Sequence, residues 1–280
     1  MSDTVTVSLP SPRGPKAVTV SYARVGTGEP LLLLHGIGHH RQAWDPVIPI
    51  LAAERDVIAV DLPGFGASPA LPDGLTHDLT TVVPLLGALC EALELGRPHV
   101  AGNSLGGLLA LELGREKLVR SVTALSPAGF WSPVERRYAF GLLIAMRQAA
   151  RRMPLPVVER LSRSAAGRTV LTSTIYARPG RRSPDAVVAE TLALARAEGF
   201  AETLRAGTNV QFTDDIPTLP VTVAWGTKDR LLMRRQGVRA KQIIPRARLV
   251  RLPGCGHVPM NDDPALVARV VLDGSRPGSR

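Results

Sequence analysis

A serine flanked by glycines is the first residue of the chain whose setting could support covalent chemistry. Ser104 lies in the segment Val100–Gly107, whose centre has the pattern Gly-x-Ser-x-Gly. An apolar segment typical of a buried strand precedes it, and a leucine-rich segment typical of a helix follows it. A serine on such a sharp turn directs its hydroxyl out of the sheet, near a helix N-terminus that favours negative charge. The pattern predicts a nucleophile that attacks a carbonyl, although Gly106 and Gly107 could instead only allow close helix–strand packing.

The chain also supplies a base and an acid, which Ser104 needs because a serine hydroxyl is a weak nucleophile by itself. Among the six histidines, His257 stands in the sequence Gly-Cys-Gly-His, after a predicted strand and before the last predicted helix. Asp229 follows another predicted strand, and its carboxylate could orient the imidazole. The order serine, aspartate, histidine predicts a catalytic triad. The alternatives are that Asp229 caps the segment after it and that His257 is an ordinary loop histidine.

A glycine-containing loop after the predicted strand 31–34 supplies candidate donors for a developing negative charge. Its sequence at residues 35–38 is His-Gly-Ile-Gly, and the glycines let the backbone turn so that an N–H group points at the serine. We predict an oxyanion hole formed by the N–H groups of Ile37 and Leu105. Such donors each contribute on the order of 10²–10³ in rate.

Three histidines stand in and just after this loop. His35 is predicted to brace the loop and not to act as the base. His39 and His40 could face the site, although histidines in such positions are more often solvated.

Residues 130–215 carry almost no strand signal and several helical stretches, which predicts an inserted lid over the mouth of the site. The lid is rich in apolar residues, and these would suit an apolar acyl or alkyl group. We predict substrate contacts from Trp44, Phe130, Trp131 and Met146. An equally good alternative is that the apolar lid residues only pack the lid onto the sheet.

Short strands alternate with helices elsewhere, which predicts a mostly parallel, doubly wound sheet with helices on both faces. The predicted strands cover residues 17–24, 31–34, 57–60, 99–102, 121–125, 221–225 and 248–252. The predicted helices cover residues 44–54, 76–95, 105–114, 136–152, 155–164, 185–198, 233–244 and 264–272. We expect an α/β core at 1–129 and 216–272, the helical lid at 130–215, and a flexible tail at 273–280.

The composition fits a globular chain with a sizeable core, since 45% of the 280 residues are hydrophobic and 21% are charged. The net charge of +10 comes from 34 basic residues, of which only Lys16, Lys117, Lys228 and Lys241 are lysines. An arginine bias of this kind is typical of a GC-rich coding sequence. Because no nucleic-acid-binding motif accompanies the charge, no nucleic-acid partner is expected.

The chain shows no feature of export, membrane insertion or metal binding. The longest apolar runs, such as 31–34, are far shorter than the roughly 20 residues that span a bilayer, and the N-terminus does not resemble a signal peptide. We therefore expect a cytoplasmic protein without stable membrane association. Cys90 is predicted to lie in the core, Cys255 could line a pocket, and neither belongs to a metal-like cluster.

The predicted lid carries a local excess of positive charge. Residues 147–182 contain nine arginines and one acid, Glu159. This face could steer an anionic substrate or an acyl carrier partner toward the site. The alternative, which is the commoner case, is an ordinary solvated helical face.

The sequence resembles the α/β-hydrolase superfamily over about residues 18–272, the lid excepted. The matching features, in order, are His35–Gly38, Asp61–Ser68, Gly102–Gly107, Asp229 and His257. The resemblance implies an α/β-hydrolase fold and a serine hydrolase that cleaves a carboxylic ester or related acyl bond of a small, apolar substrate. It implies no metal or organic cofactor and a structural role for the Asp61–Ser68 turn.

Two positions at which this sequence differs from other members of the superfamily reduce the number of reactions to consider. Ser104 stands where haloalkane dehalogenases and epoxide hydrolases have an aspartate, which argues against both activities. The alternative family position for the acid lies in the segment 126–129, which contains no carboxylate here and so favours Asp229. A carbon–carbon bond hydrolase and a biosynthetic thioesterase or cyclase remain alternatives, because the superfamily builds both on a similar triad. A non-catalytic binding protein is disfavoured because all three triad residues are present.

Overall fold

One eight-stranded sheet organises the part of the chain that the computed structural model describes, residues 3–276. Its strands are β1 (Asp3–Leu9), β2 (Lys16–Val25), β3 (Glu29–Leu34), β4 (Arg55–Val60), β5 (His99–Asn103), β6 (Ser121–Leu125), β7 (Val221–Gly226) and β8 (Arg248–Leu252). They lie in the order β1-β2-β4-β3-β5-β6-β7-β8. The β1–β2 and β2–β4 pairs are antiparallel and the other pairs are parallel, so the prediction of a mostly parallel sheet is confirmed.

The helices are α1 (Ile48–Leu51), α2 (Leu79–Ala92), α3 (Leu105–Arg115), α4 (Pro133–Arg152), α5 (Leu155–Ser162), α6 (Ala165–Thr172), α7 (Pro184–Arg196), α8 (Phe200–Ala206), α9 (Arg235–Ile243) and α10 (Pro264–Gly274). Short 3-10 turns occupy Arg41–Trp44, Pro179–Arg181, Gly207–Asn209 and Pro259–Asn261. Helices α4 to α8 stand between β6 and β7, and we call residues 133–206 the helical insertion. Ser183 caps α7 by accepting the N–H of Ala186 at 3.2 Å.

The central strands are buried on both faces, which explains their continuous apolar sequence. In β3, Leu31 and Leu33 pack in a core with side chains of α1 and α10. Leu32 and Leu34 point to the opposite side and pack with side chains of α2 and α3. Because side chains alternate along a strand, one run of four leucines serves two cores. The helices on both faces confirm the doubly wound arrangement.

Several elements differ from the sequence prediction. The predicted helix 44–54 is a 3-10 turn followed by the single helical turn of α1. The predicted elements include neither β1 nor α6 nor α8. Strand β1 lies at the sheet edge and is largely exposed, and α6 and α8 are only eight and seven residues long, so none of the three has a long apolar pattern.

The chain end is folded further than predicted. Helix α10 runs to Gly274, and the buried Ser275 accepts hydrogen bonds from the Arg55 guanidinium through its carbonyl, at 3.2 Å, and its hydroxyl, at 3.0 Å. Asp273 and Gly274 therefore belong to α10 and Ser275 to the buried interior, although the prediction placed them in the tail. Residues 277–280 lie outside the described range. Among the described helices, none is long and apolar enough to cross a membrane.

The nine arginines in residues 147–182 fall into two sets. Four of them contact other parts of the protein: Arg147, Arg168, Arg178 and Arg182. Arg178 and the other five are exposed, the five being Arg151, Arg152, Arg160, Arg163 and Arg181. Six of the nine arginines therefore lie at the surface, and steering of an anionic partner stays a prediction.

A buried ion pair holds the loops that follow β3 and β4. The Asp61 carboxylate is fully buried, pairs with the guanidinium of Arg41, and accepts the N–H groups of Arg41 at 2.6 Å and Ala67 at 3.0 Å. The hydroxyl of Ser68 donates to the Asp61 carbonyl at 2.7 Å. These bonds agree with the structural role that the family resemblance implies for this turn.

We expect Asp61→Ala to lower the free energy of unfolding by about 3–5 kcal/mol, because it leaves the Arg41 cation buried without its partner. Urea denaturation followed by circular dichroism measures the loss. The exposed Asp73, changed to alanine, is the matched control and should stay near the wild-type value. Equal stability of the two variants would show that the Arg41–Asp61 pair does not hold these loops.

Candidate active site

Ser104 stands on a strained turn between β5 and α3. Its backbone has φ 57° and ψ −115°, in a region that non-glycine residues rarely adopt. A side chain at Gly102 would collide with the carbonyl of Gly106, and one at Gly106 would collide with the carbonyl of Leu34. The two glycines of the Gly-x-Ser-x-Gly pattern are therefore required by close backbone contact around the serine.

Hydrogen bonds from a neighbouring strand and loop hold this conformation. The Ser104 N–H donates to the Leu125 carbonyl at 3.0 Å, and the Ala128 N–H donates to the Ser104 carbonyl at 3.0 Å. Strain of this kind costs on the order of 1–3 kcal/mol and persists only where the surroundings fix it. The result is a serine presented at the carboxyl end of the parallel strands.

An aspartate and a histidine form a buried pair beside Ser104. The Nδ1 of His257 lies 2.9 Å from Oδ2 of Asp229, and both side chains are almost completely buried. The other carboxylate oxygen, Oδ1, accepts the N–H groups of Leu231 and Leu232, each at 2.9 Å. Asp229 thus both caps the segment after it and fixes the imidazole. These bonds orient Nδ1–H toward Asp229 and leave Nε2 as the basic nitrogen.

The second imidazole nitrogen of His257 has no partner in the described part of the chain, and His257 shares a cavity with Ser104. His257 Nε2 is buried and has no hydrogen-bond partner within residues 3–276. Ser104 and His257 line one cavity of about 60 Å³. A nitrogen in this position can take the proton of the serine hydroxyl when a substrate is bound.

Two polar residues that sequence reasoning missed hold the histidine loop. Asn103 donates from Nδ2 to the carbonyls of Leu125, at 3.0 Å, and His257, at 2.9 Å. Asp262 accepts the N–H of Gly256 at 2.7 Å and that of Ala177, before α7, at 3.0 Å. Asn103 was visible inside the serine motif, but its contact is 154 residues away along the chain, so only the fold reveals its role.

The loop after β3 lies against the serine. A side chain at Gly36 would stand 3.1 Å from Ser104 Cβ. His35 accepts the Leu62 N–H at Nε2, at 2.9 Å, and its Nδ1 lies 2.8 Å from the Gly36 carbonyl. Burial lowers the pKa of His35 to about 4, so the ring is neutral near pH 7 and Nδ1–H is the donor. The prediction that His35 braces this loop is confirmed.

The two predicted oxyanion donors lie next to Ser104, but only Ile37 lines the cavity. Leu105 is the first residue of α3, directly after Ser104. Their N–H groups donate to no acceptor in the described part of the protein. Neither N–H group is committed within the fold, and the oxyanion hole stays a prediction.

The rest of the cavity is mostly apolar, and one of the four predicted substrate contacts lies in it. Its apolar lining is Leu143, Met146, Ile175, Leu194, Leu231 and Val258. The other three predicted contacts are not among its lining residues. Trp44 is fully buried beneath the sheet, Phe130 packs on Phe212, and Trp131 donates to the Val210 carbonyl at 3.1 Å. These three rings pack within the fold and do not line the cavity, so the prediction that they contact substrate is wrong. For Met146, substrate contact stays a prediction.

His39 and His40 are both buried, so the expectation that they are solvated is wrong. His39 lines the cavity with Ser104, and its ring stacks on that of His40 at a centroid distance of 5.5 Å. Burial lowers the pKa of both residues, and each ring is neutral near pH 7.

Comparison with known proteins agrees with this geometry. A model of the alpha/beta hydrolase family matches residues 31–270. The chain belongs to the alpha/beta hydrolase family. This hydrolase is 28% identical over 269 residues to lipase 3 of Moraxella sp. (strain TA144), which covers 92% of the chain and 81% of the relative.

Two further comparisons extend over most of the hydrolase. An uncharacterized protein of Mycobacterium tuberculosis (strain ATCC 25618 / H37Rv) is 29% identical over 263 residues, covering 88% of this chain and 75% of its own. The solved structure of a thermophilic esterase from Thermogutta terrifontis superimposes with a TM-score of 0.75 at 21% identity, covering 97% of both chains. That likeness shows that the two share the fold.

We expect Asp229→Asn to lower kcat on the order of 10⁴-fold, as the equivalent change does in another Ser-His-Asp enzyme. The amide oxygen can still accept the N–H groups of Leu231 and Leu232, but the amide nitrogen cannot accept from His257 Nδ1–H. Hydrolysis of p-nitrophenyl acetate measures the effect, with Asp73→Asn as the control. A variant that keeps both its Tm and its activity would remove Asp229 from the site.

Proposed function

We propose that this α/β-hydrolase is a serine esterase that cleaves small carboxylic esters through an acyl-enzyme on Ser104. One observation carries the proposal: Asp229 holds Nδ1 of His257, Nε2 has no partner among the described residues, and His257 lines the same cavity as Ser104. The similarity to a protein named as a lipase supports an ester as the substrate. Attack on an acyl carbonyl is the reaction that this set of groups fits best.

In the first half of the reaction, Ser104 Oγ attacks the ester carbonyl carbon while His257 Nε2 takes the hydroxyl proton. The carbonyl oxygen becomes negative and accepts the N–H groups of Ile37 and Leu105. Asp229 stabilises the imidazolium. When the tetrahedral intermediate collapses, the carbon–oxygen bond to the alcohol breaks and His257 returns the proton to the leaving alkoxide.

In the second half, water replaces the alcohol. His257 takes a proton from the water as its oxygen attacks the acyl carbon, and the same N–H groups hold the second oxyanion. Collapse breaks the bond to Ser104 Oγ, which recovers its proton from His257. The products are a carboxylic acid, an alcohol and the free enzyme.

Ser104→Ala removes the nucleophile. Hydrolysis of p-nitrophenyl acetate and butyrate should therefore fall to at most the small residual rate that the remaining substrate-binding groups support. Ser126→Ala is the matched control. Ser126 is also buried, and its hydroxyl has no hydrogen-bond partner in the described chain, so its loss should leave activity unchanged.

A fluorophosphonate probe distinguishes the serine mechanism from failure to find the substrate. Intact-mass analysis should show one adduct on the wild type and on Ser126→Ala, and none on Ser104→Ala. Labelling without ester hydrolysis would exclude the esterase and direct attention to thioesters or carbon–carbon bonds. Hydrolysis that survives in Ser104→Ala would exclude Ser104 as the nucleophile.

The small cavity predicts a preference for short acyl chains. Its volume of about 60 Å³ is far below the roughly 300 Å³ of typical ligand pockets. We expect kcat/KM for p-nitrophenyl esters to be highest between acetate and butyrate and about 10-fold lower or more at decanoate.

Shortening one wall residue should move this optimum. Met146→Ala enlarges the cavity and should shift the preferred acyl chain to greater length. Met153→Ala, at the end of the same helix and outside the cavity lining, should leave the profile unchanged. A wild-type optimum at octanoate or decanoate would contradict the size argument.

A further inference from the structure

A polar cluster that the proposed mechanism does not use stands at one end of the catalytic cavity. Glu190 of α7 lines the cavity with Ser104 and is about nine-tenths buried. Its Oε1 accepts the hydroxyl of Tyr176 at 2.8 Å and pairs with the guanidinium of Arg182. The Arg182 guanidinium also lies over the Tyr176 ring, 4.5 Å from its centroid. The Tyr176 hydroxyl in turn lies 3.2 Å from His39 Nε2.

The hydrogens in this cluster can be assigned from the chemistry of its members. Burial raises the pKa of Tyr176 and lowers that of His39, so the phenol keeps its proton and the imidazole is neutral. The single phenolic hydrogen goes to Glu190, because a carboxylate can only accept. His39 must then donate from Nε2 to the Tyr176 oxygen, which leaves Nδ1 with a lone pair.

Two hydrogen-bond acceptors therefore remain unused. Glu190 Oε2 and His39 Nδ1 are both buried, and neither has a partner within the described residues. Both residues line the cavity that contains Ser104. Because buried acceptors are costly to leave unpaired, a molecule that enters this cavity gains by bringing a hydrogen-bond donor.

The donor that suits this site is a neutral one. The charge of Glu190 is already balanced by Arg182. Glu190 also lines an open groove of about 1290 Å³ along α7, whose lining contains four arginines and five carboxylates. Their charges nearly cancel, so neither the cavity end nor the groove beyond it has a strong excess of one sign.

We propose that the substrate of this hydrolase carries a hydroxyl group that donates to Glu190 Oε2, beside the second acceptor His39 Nδ1, while its ester carbonyl lies at Ser104. The inference rests on the proposed esterase function and names its substrate class, a hydroxylated short-chain ester. The apolar walls around Met146 and Leu143 contact the carbon chain of the substrate. Glu190 contacts the hydroxylated end of the substrate, which lies toward the groove.

Three pairs of esters that exchange a hydroxyl for a methyl group test this preference. They are ethyl 3-hydroxybutyrate against ethyl 3-methylbutyrate, ethyl 4-hydroxybutyrate against ethyl pentanoate, and 2-hydroxyethyl butyrate against propyl butyrate. Acid release in a pH-stat gives kcat/KM for each. We expect the hydroxylated member of at least one pair to be preferred by about 10- to 100-fold, the range for a hydrogen bond to a charged or buried acceptor.

Glu190→Gln tests the assigned acceptor, because it keeps an oxygen for Tyr176 and replaces the other oxygen with an amide nitrogen. In this variant, the ratio of kcat/KM for the hydroxylated ester to that for its methyl counterpart should fall below about three. Glu159 is an exposed carboxylate on α5, and Glu159→Gln should keep the wild-type ratio. Thermal melts show whether each variant is folded. If Glu190→Gln does not fold, His39→Phe removes the second acceptor and should reduce the same preference.

The outcomes separate this inference from the proposed function. Ser104-dependent hydrolysis with no hydroxyl preference in any pair would overturn the substrate class and leave the esterase intact. A preference that survives in both Glu190→Gln and His39→Phe would also overturn it. So would faster turnover of ethyl 4-aminobutyrate, since a cation would then be the favoured donor. Hydrolysis of the p-nitrophenyl esters without hydrolysis of these esters would overturn the substrate class only. Failure to hydrolyse either set would overturn both proposals.

Discussion

The backbone of Ser104 is held at φ 57°, and the arrangement of the site depends on keeping it there. A side chain on either flanking glycine would collide with a carbonyl group, and the serine itself is hydrogen-bonded to the end of β6 and the loop after it. With this turn fixed, α3 begins directly after the serine, at Leu105. The turn therefore places the proposed nucleophile and the first N–H group of α3 next to each other.

Buried polar contacts then bring distant loops to that turn. Asn103 connects the end of β5 to the histidine loop, and His35 connects the loop after β3 to the segment after β4. Asp262 joins the histidine loop to the helical insertion. Each of these groups has its partners satisfied, which is the condition for a polar group to be buried without a large cost. Three loops are consequently fixed relative to Ser104 before any substrate enters.

The helical insertion forms part of the wall of the cavity that contains Ser104. It supplies Met146 and Leu143 to the apolar wall and Glu190 to the polar end of the same cavity. At the two ends of the insertion, the core contains the aromatic rings of Phe130, Trp131 and Phe212. Phe130 and Trp131 are two of the residues that the sequence suggested for substrate contact. The cavity wall thus comes in part from α4 and α7, whereas Ser104, Asp229 and His257 lie in loops that follow strands.

The sequence alone determined the sheet and its central strands, because a run such as Leu31–Leu34 that is apolar at every position must be buried on both faces. It also pointed to Ser104, Asp229 and His257, since all three follow predicted strands and parallel strands end at one edge. What it could not determine was which insertion residues face the cavity. Trp131 and Met146 look alike in an apolar pattern, and only tertiary packing places one in the core and the other beside Ser104. The pairing of Glu190 with Tyr176 and Arg182 is likewise decided by how α7 crosses the site, because hydrogen bonds between distant residues leave no local pattern.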